Sequence, residues 1–134
     1  MIVTNMTRQT RVADKVFAAK SFWERTRGLI GTPPLKSGEG LLLPGCMGIH
    51  MFGMSYSLDV IYLDRNNEVI AALENIKPNS FGPIKFNSCA VLEFPVGTIA
   101  KSKTQEGDQL VINGADDQLI ERVAVKSIPV FRFI

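Results

Sequence analysis

The residues best equipped for chemistry lie in one stretch, Pro44-Gly45-Cys46-Met47-Gly48-Ile49-His50-Met51-Phe52-Gly53-Met54, which leads on to Asp59. It holds the chain's only histidine, one of its two cysteines and three of its five methionines. Thiolate, imidazole and thioether are soft ligands that favour Cu(I) and, for the first two, zinc, so soft-metal binding is one reading. Spacing works against it. Cys46, His50 and Met54 would align on a helix, but Pro44, Gly45, Gly48 and Gly53 disfavour one. In an extended chain Cys46 and His50 would stand roughly 13 Å apart, too far to share an ion unless the loop folds back. A cysteine–histidine nucleophile is the second reading, with Asp59 orienting the imidazole; Cys89 could serve as readily as Cys46. Neither thiol carries a strained nucleophile elbow or a Cys-x-x-Cys spacing.

Asp59 has its own claim, because it interrupts the apolar run Leu58–Leu63. A carboxylate there costs free energy unless it is paired or accepts hydrogen bonds. It therefore reads as the anchor of a loop or of Arg25, or as a ligand-binding group. Glu93, inside Cys89–Phe94, is a second candidate inward carboxylate.

The elements that would position these groups are mostly strands. Leu58–Leu63, the turn Asp64-Arg65-Asn66-Asn67 and Glu68–Ile76 form a β-hairpin signature. Cys89–Phe94 and Gln109–Asn113 read as further strands, Ile2–Met6 and Val12–Ala18 as weaker ones, and Ile128–Ile134 as an edge strand carrying Pro129. One helix is expected at about 21–30. Ser21 and Glu24 form a capping box, Gly31 ends it, and Pro33-Pro34 prevents resumption. Strands without alternating long helices predict a mainly β fold, a compact antiparallel barrel or sandwich with one short N-terminal helix.

The chain has 134 residues, 46% apolar and 21% charged, which suits one globular domain over 1–134 and excludes a disordered or collagen-like chain. No apolar run reaches the roughly 18 residues of a membrane helix, and the first residues lack a signal-peptide pattern. These features predict a cytoplasmic protein whose two cysteines stay reduced. Net charge is +2, unevenly spread: residues 1–37 hold seven basic and two acidic side chains. A solvated basic face accounts for this, and no nucleic-acid motif accompanies it, so a nucleic-acid partner is not expected.

Several of these residues fall in an ordered pattern. Glu24-Arg25-Thr26-Arg27-Gly28-Leu29-Ile30-Gly31 and Gly38-Glu39-Gly40-Leu41 open it. Cys46…Ile49-His50…Gly53-Met54…Leu58-Asp59-Val60…Leu63-Asp64 follows, then Val91-Leu92-Glu93, Pro95…Gly97 and Gly107-Asp108. Over about residues 10–112 the chain resembles the uncharacterised family known as domain of unknown function 192, leaving a β extension at about 115–134. The resemblance implies a compact β-rich domain with a short helix and no established activity. Its pattern maps onto Arg25, Gly28, His50, Met54, Asp59, Leu92, Glu93, Gly97 and Asp108. Met51 and Ser55 depart from it, standing where relatives tend to carry Thr and Arg.

The expected function is a binding domain without catalysis, for a small molecule or a protein. Its candidate ligand-binding residues are Arg25, Cys46, His50, Met54 and Asp59, and no cofactor is called for. A thiol- or carboxylate-dependent enzyme and a copper- or zinc-binding protein are the alternatives.

Overall fold

The computed structural model describes residues 1–19, 29, 31–114 and 130–131. In chain order the elements are β1 (Ile2–Asn5), β2 (Thr10–Ala13), β3 (Lys15–Ala18), β4 (Glu39–Pro44), β5 (Cys46–Gly48), β6 (Leu58–Leu63), β7 (Val69–Ile76), β8 (Ala90–Pro95), α1 (Thr98–Ser102), β9 (Leu110–Asn113) and β10 (Val130–Phe131). The fold is mainly β. The described strands make three sheets, ordered β3-β4-β8-β6-β7, β2-β1-β9 and β10-β5. None of the three closes into a barrel. Pairing is mixed, since β3–β4 and β5–β10 are parallel where an all-antiparallel arrangement was expected. The helix expected at 21–30 falls outside the described residues, apart from Leu29. The described helix is α1, in the C-terminal half.

The five-stranded sheet is covered on both faces, which explains why all six residues of β6 are buried. Successive strand residues point to opposite faces. Ile61 and Leu63 join one core with Leu42, Leu92 and Phe94, against Val3 and Val12 of the three-stranded sheet and Ile99 of α1. Leu58, Val60 and Tyr62 join a second core with Leu43, Val91, Cys46, Ile49, Met51 and Met54. Burial on two faces is the reason the β6 sequence reads as a nearly unbroken apolar run.

The expected hairpin forms as β6–β7. At its turn Asp64 Oδ1 accepts the amides of Asn66 (2.8 Å) and Glu68 (3.0 Å), and Asn67 takes φ 61°. The expected strand Val12–Ala18 divides at Asp14. The carbonyl of Gly38 accepts the amides of both Asp14 and Lys15, and the chain passes there from one sheet to the other. Strand β4, unanticipated because Gly40 and Pro44 argue against a strand, tolerates both for local reasons. A Cβ on Gly40 would lie 2.6 Å from the ring of Phe94, so only glycine lets β4 pack there. Pro44 ends the strand. Of the expected C-terminal strand, Val130–Phe131 pairs with β5 and the remainder lies outside the described residues. Among the described residues no helix is long and apolar enough to cross a membrane.

Candidate functional site

Asp59 and the Cys46–Met54 stretch serve opposite faces of the five-stranded sheet. Asp59 is fully buried. Its Oδ1 accepts the Asn75 amide (2.9 Å), and its Oδ2 accepts the amides of Gly97 (3.1 Å) and Ile99 (3.0 Å). The last two belong to the start of α1, which has no side-chain cap of its own. Asp59 therefore supplies from β6 the acceptor that a helix N-terminus needs. Three charge-assisted bonds fix α1 and the end of β7 to the sheet.

On the other face, Cys46 and Met51 are fully buried, His50 is 1% exposed and Met54 is buried. The Cys46 carbonyl accepts the Ser88 hydroxyl (2.8 Å), and neither Cys46 nor Cys89 forms a disulfide. His50 Nδ1 accepts the Phe52 amide (3.2 Å), which in the neutral ring places the proton on Nε2. Glu93 is fully buried and, by cross-strand register with Leu41 and Val60, belongs to this same face. Arg25 and Gly28 lie outside the described residues. Among the described residues no group of three His, Cys, Asp or Glu side chains could hold a metal ion.

The stretch around His50 is held by a second segment, residues 79–85, which runs beside 47–51. Met51 donates to Ser80 O (2.7 Å), Asn79 to Met51 O (2.8 Å), Gly82 to Ile49 O (3.0 Å) and Lys85 to Met47 O (2.8 Å). The Tyr62 hydroxyl reaches through the second core to donate to Pro83 O (2.7 Å). Gly82 permits this approach, since a Cβ there would meet the Tyr62 oxygen at 2.5 Å. On and next to this braced pair, apolar groups stand in solvent. Phe81 is 62% exposed, Ile84 51%, Phe86 81% and Phe52 38%. The Phe52 and Phe81 rings meet edge to face at 4.8 Å, and Phe52 stacks on His50 at 5.9 Å. His50 thus connects a buried core to an exposed aromatic ledge. Sequence reasoning missed the ledge. The signal was Phe81-Gly-Pro-Ile-Lys-Phe86, apolar residues between turn formers with no strand pattern to bury them.

Asp108, carried in the family pattern alone, closes a polar knot far from His50 in sequence. Its Oδ2 accepts from Asn5 Nδ2 (2.9 Å), Arg8 Nε (3.1 Å) and the Gln105 amide (2.9 Å). Burial pushes the carboxyl's pKa up, but the bonds from Asn5, Arg8 and Gln105 and the Arg8 charge outweigh that and hold it below the usual carboxylate value. Thr104 joins through Asn5 Nδ2 (3.1 Å), and Ser102 through Thr104 (2.7 Å).

A mainly β fold of open sheets with, among the described residues, two cores and one short capped helix is the class these features define. The family model described as uncharacterized ACR, domain of unknown function 192, matches residues 3–112, and the chain belongs to that family. A UPF0127 protein of Thermococcus sibiricus is 33% identical over 113 residues, covering 81% of this chain and 73% of the relative. A UPF0127 protein of Thermococcus kodakarensis is 30% identical over 131 residues, covering 95% and 82%. The fold is similar to the crystal structure of a protein of unknown function from Novosphingobium aromaticivorans, with a TM-score of 0.70, 23% identity and coverage of 83% and 82% of the two chains. No specific activity is indicated for the family by these relatives.

Proposed function

We propose that the protein is a non-catalytic binding module whose contact surface for a protein partner is the ledge of Phe52, Phe81, Ile84 and Phe86. The observation that carries this reading is the exposure of these side chains on, or next to, residues 47–51 and 79–85, which four backbone hydrogen bonds and Tyr62 pin together. Aromatic groups held in place lose little conformational freedom on binding and dominate contact energies. The chemistry-bearing residues support the non-catalytic side. Cys46 is fully buried and both Asp59 oxygens already accept backbone amides, an arrangement suited to anchoring. His50 then acts as a support for Phe52, and Met54 as core filler. Cytoplasmic residence fits two cysteines that form no disulfide. We also infer a sandwich-like body, because the three-stranded sheet shares one core with the five-stranded sheet while both stay open.

The test places a photo-crosslinking benzoyl-phenylalanine at position 86 of the full chain in cells, with position 101, on the exposed side of α1, as the control. A discrete adduct at 86 that is absent at 101 and lost with Phe81→Ser supports the ledge. A folded protein giving no adduct at 86, or equal adducts at both positions, overturns it.

A further inference from the structure

Strand β7 ends the five-stranded sheet, so among the described residues one of its sides has no strand neighbour. Contacts with the β9 region cover only its beginning: Val69 donates to Asp108 O, and Gly107 donates to Val69 O. Beyond that point, among the described residues, no loop or strand hydrogen bond reaches the outer side of Ile70–Glu74. A cleft of about 380 Å³ opens along this edge. Its floor is Ile70–Glu74, one wall holds Pro83 and Lys85, and the other holds Ile99 and Thr104–Glu106. Val69–Ile76 contains no proline and no lysine to block pairing, and its pairing with β6 stays in regular register from Ala71 to Leu73, between two irregularities.

We propose that this cleft accepts an extended peptide segment of a partner protein, which pairs with β7 as an added strand. The proposal rests on the protein-binding reading above and names a second surface, joined to the ledge through residues 81–86. Added strands gain affinity from main-chain hydrogen bonds and specificity from alternate side-chain positions. Here the two positions differ in chemistry. Ala71 and Leu73 belong to the second-core face, where Pro83 and the aliphatic stem of Lys85 continue an apolar wall. Ala72 belongs to the first-core face, and Glu74 shares its side by alternation. Glu74 and Glu106, both exposed, make that side of the cleft acidic. A strand alternating basic and apolar residues matches both walls at once.

The experiment titrates the full, isotope-labelled chain with a capped peptide of alternating Lys and Val, followed by amide NMR. Expected are shifts centred on Ile70–Glu74 and slowed exchange of those amides. N-methylation of the peptide backbone at alternate residues is expected to weaken binding about tenfold or more, as is the double change Glu74→Lys with Glu106→Lys at unaltered thermal stability. Equal binding by the N-methylated peptide, shifts elsewhere, or no binding at about 1 mM peptide overturns the proposal. A concentration-dependent dimer formed through the same amides also overturns it, by assigning the edge to a second copy of this chain. The ledge is judged separately. Phe81→Ser that abolishes crosslinking from position 86 but leaves the peptide shifts intact upholds both surfaces, whereas peptide binding with no adduct at position 86 upholds the edge and removes the ledge.

Discussion

Asp59 and Asp108 on one side, and the Phe81–Phe86 segment on the other, invert the usual expectation for polar and apolar residues. The carboxylates are buried, and each accepts three hydrogen bonds. The aromatic side chains, which burial would stabilise by about 2 kcal/mol each, are left in water. One region uses charge to bind the chain to itself; the other leaves apolar surface on a rigid support. A buried charge with all its partners inside the fold has little left to offer a ligand, and an exposed ring in a fixed position has nearly everything to offer.

If this contrast is right, the carboxylate side should fail first. Asp59→Ala leaves three backbone N–H groups at the α1 start and the end of β7 without their acceptor, two of them belonging to the helix N-terminus. The Ile99 amide is buried and the other two are partly so; a buried unsatisfied donor costs about 1–3 kcal/mol, so a loss of about 3 kcal/mol is expected in urea unfolding. A loss below about 1 kcal/mol would mean that water replaces the carboxylate and that Asp59 is available for ligands after all. Gly40→Ala comes next, at about 2 kcal/mol, because its Cβ meets the fully buried Phe94 ring and the Glu93 carbonyl at 3.2 Å. Phe94→Leu in the same chain should recover part of that loss, which a merely conformational penalty at position 40 would not allow.

Asp108 gives a smaller effect with a pH signature. Its pKa is lowered in the folded protein, so its stabilisation is complete above the unfolded value near 4 and is lost as pH falls through the folded value. Arg8 is about one-third exposed, which weakens the ion pair, and Asp108→Asn is expected to cost about 1 kcal/mol at neutral pH. The gap in urea midpoint between wild type and variant should be constant from about pH 5 to 8 and close progressively below about pH 4. A gap that stays constant into acid would show that the knot depends on shape rather than on charge.

How much of this was legible in the sequence depended on whether the signal was local. The β6–β7 hairpin was, because an apolar run, an Asx turn and a second apolar run are each encoded by neighbouring residues. The interruption by Asp59 marked a carboxylate in need of partners, but two of those partners, Gly97 and Ile99, lie about forty positions away and no periodicity points to them. Strand β4 was hidden by Gly40, whose value lies in the distant Phe94 ring. Grouping Asp59 with Cys46, His50 and Met54 followed proximity in the chain, whereas strand alternation sends Asp59 to the α1 side of the sheet. The ledge escaped notice because phenylalanine is assumed to be buried, and only the three-dimensional course of residues 79–85 reveals which ones are not.

The smallest effect on stability is expected at the ledge itself, and its smallness is the point. Phe86 is 81% exposed, so Phe86→Ser removes almost no buried surface and should shift unfolding by less than about 0.5 kcal/mol. Phe81→Ser removes the edge-to-face contact with Phe52, worth about 0.5–1.5 kcal/mol, and should cost slightly more. Neither substitution disturbs the backbone bonds that pin residues 79–85, so both proteins should keep the amide exchange pattern of the wild type there. Solubility provides the complementary reading, since removing exposed apolar surface should lower self-association at high concentration. A loss of about 2 kcal/mol or more in Phe86→Ser would mean that the ring is covered within the folded chain, and the contrast between an occupied polar region and an open apolar one would collapse.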